Sequence, residues 1–173
     1  MCDYGIASTP TLAREMKPFV QKGIVYVHRN GLGSDHERYI EYQQIKRENF
    51  PVTIFYGSGT KAHKQDFVEI LEPALLELAN KFGEKVKFVL MGWLPISDTF
   101  RKAAGANLTL LEPVWDIHGY WSIMRACDIN VAILKPSLNV DCKSEIKWIE
   151  AALFGIPSVV SSTATYEEVI EEG

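Results

Sequence analysis

The sequence predicts an α/β domain built on a parallel sheet, and three observations carry that prediction. From Val52 onward, short apolar runs alternate with longer amphipathic ones. Runs such as VTIFYG (52–57), KVKFVLMG (85–92) and DINVAIL (128–134) are almost wholly apolar, as in strands buried on both faces. The segments between them carry helical spacing, so the helices cover both sides of a doubly wound, Rossmann-like sheet.

Taken in order, DYGIAS (3–8) and GIVYVH (23–28) predict strands around a helix at 10–17. Asn30-Gly31 marks a turn, and the charged stretch 34–49 is polar enough for an exposed connecting helix. After the strand at 52–57, residues 66–82 place Phe67, Ile70, Leu71, Leu75, Leu78 and Phe82 at helical spacing. The strand 85–92 follows, then a weaker one at 107–111, a short helix at 120–127 and a buried strand at 128–134. A helix at about 143–154, a strand at 157–162 and the start of a helix at 165–172 complete the series. In the helix at 143–154, Ile146, Ile149 and Leu153 form the expected buried stripe, with Ala152 at its margin. Gly155 ends that helix and Pro157 prevents its continuation.

Composition narrows the functional classes. The 173 residues suffice for one compact core. A net charge of −4 argues against a nucleic-acid surface or a polybasic membrane anchor. Cys2, Cys127 and Cys142 are odd in number and far apart, without zinc spacing, which predicts reduced, cytoplasmic thiols and no metal site. No signal-peptide pattern is present, and no apolar run approaches the roughly 20 residues of a membrane span.

Ligands of open α/β sheets bind outside the carboxyl ends of the strands, and three stretches fall on that edge. GSGTKAHK (57–64) offers glycines for close backbone approach, with Ser58, Thr60, Lys61, His63 and Lys64 as donors to phosphate oxygens. It is neither a Walker A loop nor a complete GxGxxG fingerprint, because Ala62 stands at the third glycine. A plain glycine turn with solvated lysines is the other reading. In KSEIKWIEAALFGIPSVVSS (143–162), a helix N-terminus around Lys143–Ile146 would seat an anion beside Lys143 and the Ser144 hydroxyl. Glu150, one turn farther, would accept hydrogen bonds from a ribose diol. The alternative there is a Ser144 N-cap with a Glu150–Lys147 surface pair. EPVWDIHGYW (112–121) supplies aromatics that either hold a base or pack into the domain. The four histidines are scattered through the sequence, and only His63 sits in a glycine-rich context.

Together these stretches resemble a family. FYGSGT followed by His63 and Asp66, then KFVLMG, YWSIMRACDINVAIL and KSxIKxxEAxxxGIPxVxS are similar to the C-terminal, nucleotide-sugar-binding domain of group 1 retaining glycosyltransferases of GT-B fold. CDYGIASTPTLA and VYVHRNGL resemble the passage out of the family's first domain. The resemblance implies that residues 1–33 trail from a preceding domain, 34–49 connect, and 50–173 form a C-terminally truncated donor-binding domain. It also implies that Glu150 is the second Glu of the Glu-x7-Glu motif and contacts the ribose. Lys143, Ser144 and Ile146 would hold the diphosphate at the helix N-terminus, Gly57, Ser58 and Gly59 would approach the phosphates, and His63 or Lys64 would fall near the phosphate-binding Lys. Two positions depart from the pattern. Cys142 stands at the first Glu, with Asp141 and Glu145 nearby as replacements, and Ser58 stands at the usual Arg.

The implied activity is retaining transfer of a sugar from a nucleotide diphosphate to a glycan or lipid-linked acceptor held by the preceding domain, without a metal or other cofactor. A non-catalytic nucleotide-sugar-binding module and another GT-B enzyme, such as a nucleotide-sugar epimerase, are the alternatives.

Overall fold

The computed structural model describes residues 2–36, 51–59 and 64–171. The chain opens with a βαβ unit: β1 (Tyr4–Ala7), α1 (Pro10–Met16) and β2 (Ile24–Val27), the two strands pairing in parallel. Thr9 starts α1 by accepting from the Leu12 N–H at 3.2 Å, and Pro10 follows it in the first turn. The outer face of this small sheet leaves Ile6 and Tyr26 exposed.

Five further strands make the main sheet: β3 (Val52–Ser58), β4 (Val86–Gly92), β5 (Leu108–Leu111), β6 (Ile129–Ala132) and β7 (Ser158–Val160). All pair in parallel, in the order β5-β4-β3-β6-β7. The winding therefore reverses at β3, which lies between β4 and β6. In such sheets the reversal opens a crevice at the carboxyl ends of the two central strands.

Alternation along β3 explains why both faces are covered. Ile54 and Tyr56 join Phe67, Leu71, Leu75, Phe88 and Phe100 in one core cluster. Phe55 points the other way, into a second cluster with Met91, Trp121, Met124, Ala151 and Leu153. The first cluster is closed by α2 (64–82) and α3 (Asp98–Ala104), the second by α4 (Ile117–Met124) and α6 (Ile146–Leu153). A short α5 (Leu138–Asp141) and α7 (Ala164–Glu167) close a third, smaller cluster through Val140 and Tyr166. Phe55, Phe67, Phe88 and Phe100 are completely buried, each worth roughly 1.5–3 kcal/mol of hydrophobic stabilisation.

Helix α2 comprises an α-helical start at Lys64–Asp66, a π-helical stretch at Phe67–Leu71 and an α-helix over Glu72–Phe82. Pro73 accounts for the widening. It has no N–H for the carbonyl four residues back and its ring crowds that carbonyl, so the preceding turn opens.

The structure departs from the sequence expectations at the helix ends. Asp116 accepts from the Gly119 N–H at 2.7 Å and starts α4 at Ile117, three residues before the expected 120. Helix α3 was not predicted at all, although Ser97 caps it by accepting from Phe100 N–H at 3.1 Å. Helix α6 begins at Ile146 with Glu145 as N-cap, not at Lys143, and the Ser144 hydroxyl makes no cap bond. Its buried face is also rotated from the expected stripe: Ala151 and Leu153 are buried, whereas Ile146 is 36% exposed. The C-terminal end follows expectation. Gly155 (φ 65°) takes the left-handed conformation, and the Gly155 and Ile156 N–H groups donate to Ala152 and Ala151. Of the expected connecting helix at 34–49, Ser34–His36 form a single 3-10 turn, and residues 37–50 lie outside the described ones.

Candidate functional site

The crevice at the winding reversal is a cavity of about 280 Å³. Its floor is the end of β3, Gly57, Ser58 and Gly59; one wall is Ile146, Lys147 and Glu150 of α6; the other is Pro113, Val114 and Trp115 after β5. Two glycines shape the floor. A Cβ on Gly57 would stand 3.0 Å from the Phe55 ring and 3.1 Å from Tyr120. Gly92 (φ +126°) lies beside Ser58, where a Cβ would come within 2.0 Å of the Ser58 carbonyl oxygen. Only glycine lets β3 and β4 end side by side there.

The α6 wall carries the charge. Lys147 reaches the floor and donates to the Gly57 carbonyl oxygen at 2.7 Å, its ammonium 5.3 Å from the centre of the Tyr56 ring. Burial, reinforced by the Lys143 charge, lowers its pKa to about 8 against the opposing pull of Glu150 and Asp66. The helix at this point is fixed by Asn130 of β6, whose amide donates to the Lys147 carbonyl at 3.4 Å and to Ser158 Oγ at 3.0 Å. Lys147 and Glu150 are thus not the surface pair that helical spacing alone allowed.

Glu150 faces two cavities. Besides the crevice it lines an adjoining space of about 390 Å³ with Gly31, Leu32, His36, His118 and Trp121. The rings of His36 and His118 flank Trp121, with centroids 4.9 and 5.8 Å from it. Burial raises the Glu150 pKa above its ordinary value, while the Trp121 indole, Lys147 and His36 pull it back. Burial and the Glu150 charge also raise the Tyr120 phenol far above its ordinary value, which keeps it a protonated donor.

The remaining sequence candidates separate. Ser58 is buried, and Gly59 is exposed at the rim. Ser144 precedes α6 with its hydroxyl accepting from Asn30 Nδ2 at 2.6 Å. Lys143 stands in the same turn, its carbonyl accepting from Thr165 Oγ1 at 3.1 Å. Asp141 accepts from the Ala164 N–H at 3.2 Å. Glu145, 2% exposed, pairs with Arg29 at 3.2 Å. Asp141 and Glu145, on either side of Cys142, are therefore each tied to another part of the fold. Lys64, at the start of α2, lines a neighbouring cavity of about 350 Å³ with Gly92, Trp93, Arg101 and Glu112. Lys61 and His63 lie outside the described residues. Lys147 and His36 are site residues that sequence reasoning did not select as ligand contacts, and Trp121 of the aromatic stretch 112–121 lies in the core cluster beside the adjoining cavity. The signal for Lys147 was its position three residues before Glu150 on one helix face.

No protein-family model and no curated protein matches the chain. Solved structures do. The UDP-forming alpha,alpha-trehalose-phosphate synthase of Burkholderia xenovorans superposes with a TM-score of 0.63 at 13% identity, covering 96% of this chain and 48% of its own. A variant of S. aureus TarM, solved with fondaparinux, alpha-GlcNAc-glycerol and UDP, gives 0.60 at 15% identity over 96% of this chain and 31% of its own. The pneumococcal O-GlcNAc transferase GtfA, solved with UDP and GlcNAc, gives 0.59 at 15% identity over 99% and 32%. The fold is that of one half of a GT-B glycosyltransferase.

The chain spans between 31 and 48% of the length of those three proteins. Among its described residues no helix is long and apolar enough to cross a membrane. No cluster of three His, Cys, Asp or Glu side chains among them is placed to hold a metal ion.

Proposed function

We propose that this GT-B half binds the donor of a glycosyltransferase, a nucleotide-diphosphate sugar, in the crevice between the end of β3 and α6. One observation carries the reading: a glycine floor, the first turn of a helix and the Glu150 carboxylate all line a single cavity at the winding reversal. Each part suits one part of the ligand. Glycines and first-turn N–H groups receive phosphate oxygens, Glu150 accepts from the ribose hydroxyls, and Pro113, Val114 and Trp115 give the base an apolar wall. UDP in the TarM and GtfA structures supports a nucleotide donor for a chain of this fold.

The transfer itself is retaining in this reading. The bond from C1 of the sugar to the diphosphate breaks with its electron pair leaving on the phosphate oxygen. The acceptor hydroxyl bonds to C1 on the same face and loses its proton to the departing diphosphate. The chain's part is electrostatic, stabilising charge on the leaving group with fixed donors. Lysines supply the counter-charge, so the step needs no metal. A glycan or lipid-linked acceptor sits on a second domain facing the crevice. The exposed Ile6 and Tyr26 on the β1–β2 sheet support such a covering domain.

A second reading follows from Cys142. With Asp141 and Glu145 both engaged elsewhere, the sugar-side carboxylate is missing, which favours a nucleotide-sugar-binding module without transfer. Calorimetric titration of UDP, GDP and dTDP into the chain tests the common part. Saturable binding of one of them is expected, and no binding at millimolar concentration would sink both readings. Sugar transfer by the intact protein to an added acceptor separates them.

A further inference from the structure

Lys147 is the cation most deeply set at the crevice, and its surroundings do not account for its charge. The ammonium has three N–H donors, of which the Gly57 carbonyl takes one, at 2.7 Å. No carboxylate among the described residues makes an ion pair with it; Glu150 of its own helix and Asp66 of α2 act on it only at longer range, and Lys143 repels it. A part-buried ammonium without an anionic partner is costly unless something arrives to neutralise it. Lys147 also lines the cavity floored by Gly57, Ser58 and Gly59. A peptide carbonyl and a tyrosine face hold it there, so it is aimed without being neutralised.

We propose that the Lys147 ammonium, held at the Gly57 carbonyl, is the counter-charge for the donor's diphosphate. The inference rests on the donor-crevice reading above and deepens it by naming the residue that senses the phosphate charge. The neutral carbonyl contact is what the position requires. A carboxylate there would neutralise the lysine and repel the phosphates, whereas a carbonyl orients the ammonium and leaves its charge available.

A pH signature follows. With a pKa of about 8 in the free protein, Lys147 is largely charged at neutral pH and loses its proton as pH rises. A bound diphosphate favours the charged form and raises that pKa. Affinity for the diphosphate therefore falls by about tenfold per pH unit above the free-state value until the bound-state value is reached. The groups facing the ammonium are Tyr56, Lys143, Glu150 and Asp66.

The test compares a nucleoside diphosphate with its nucleoside: UDP with uridine, or the guanosine or thymidine pair if one of those binds instead. Titrations into the wild-type chain and Lys147→Met are run from neutral pH through about 8 and above. Lys147→Met should lose about tenfold to a hundredfold in diphosphate affinity, keep its nucleoside affinity and lose the alkaline pH dependence. Equal losses for diphosphate and nucleoside would make Lys147 a structural clamp and overturn the proposal, while leaving the crevice reading intact. A wild-type affinity that is flat across this pH range would also overturn it, and needs no variant to fold. Absence of any nucleotide binding to wild type would overturn the crevice reading itself, and this inference with it.

Discussion

Arg29 and Glu145 form an ion pair, Nη1 to Oε1 at 3.2 Å, that ties the segment after β2 to the residue capping α6. The same guanidinium also reaches Glu168 at 2.8 Å, so one arginine anchors the opening βαβ unit to two parts of the main domain. Glu145 is nearly inaccessible, with 3% of its side chain exposed, against 31% for Arg29. Removing Arg29 therefore strands a buried carboxylate, whereas neutralising Glu145 leaves a part-exposed guanidinium that still pairs with Glu168. Arg29→Ala should destabilise the chain by about 3 kcal/mol in chemical denaturation. Adding Glu145→Gln to it should recover a large part of that loss. Simple additivity of the two substitutions would show that the pair is not coupled.

Glu150 should give the site an acid limb. A carboxylate that accepts from ribose hydroxyls must be ionised, and burial raises its pKa above the ordinary 4.5. Nucleotide affinity of the wild type should therefore fall as pH drops through that raised value. Stability runs the other way. The folded state holds the Glu150 proton more tightly than the unfolded state, so stability falls as pH rises from the ordinary value through the raised one. Glu150→Gln should lose both dependences and bind nucleotide about tenfold more weakly. Parallel calorimetry and denaturation across the acid range would show either dependence surviving.

What the sequence disclosed follows from what local pattern encodes. The strands were legible because Phe55, Phe88 and Val131 belong to apolar runs bounded by turns, and burial on both faces leaves such runs unbroken. Helix ends were less legible because a cap depends on geometry that several nearby residues can satisfy. Ser144 looked like a cap, yet its hydroxyl accepts from Asn30, more than a hundred residues away in sequence. The candidate site divides in the same manner. Gly57 and Glu150 were readable from position, at a strand end and on a helix face. Spacing put Lys147 on the same helix face as Glu150, but not its contact, because the carbonyl that holds it belongs to β3.

Two glycines with positive φ should respond differently to the same change. At Gly92 an added Cβ meets the Ser58 carbonyl at 2.0 Å, a backbone atom that cannot swing aside. Gly92→Ala should push the ends of β3 and β4 apart, costing at least about 2 kcal/mol, and weaken nucleotide binding at the adjoining floor. Gly155, at φ 65° beyond the end of α6, lies far along the chain from the floor. Gly155→Ala should cost about 1 kcal/mol and leave binding unchanged. Melting curves with and without nucleotide distinguish the cases, since only Gly92→Ala should lose ligand-induced stabilisation.

The two tryptophans of EPVWDIHGYW separate packing from recognition. Trp121 is 6% exposed and sits in the core cluster with Met124 and Phe154, whereas Trp115 is 83% exposed at the mouth of the crevice. An indole left in water on an irregular segment contributes little to folding, but its face is available to stack on a base. Trp115→Ala should therefore leave the melting temperature unchanged and weaken nucleotide affinity about tenfold, within the roughly 1–3 kcal/mol that aromatic stacking on a base supplies. Trp121→Ala should instead destabilise the fold by about 3–5 kcal/mol. If Trp115→Ala binds nucleotide as tightly as wild type, the base does not lie against Pro113, Val114 and Trp115. The adjoining cavity beside His36 and His118, which shares Glu150, would then be its place.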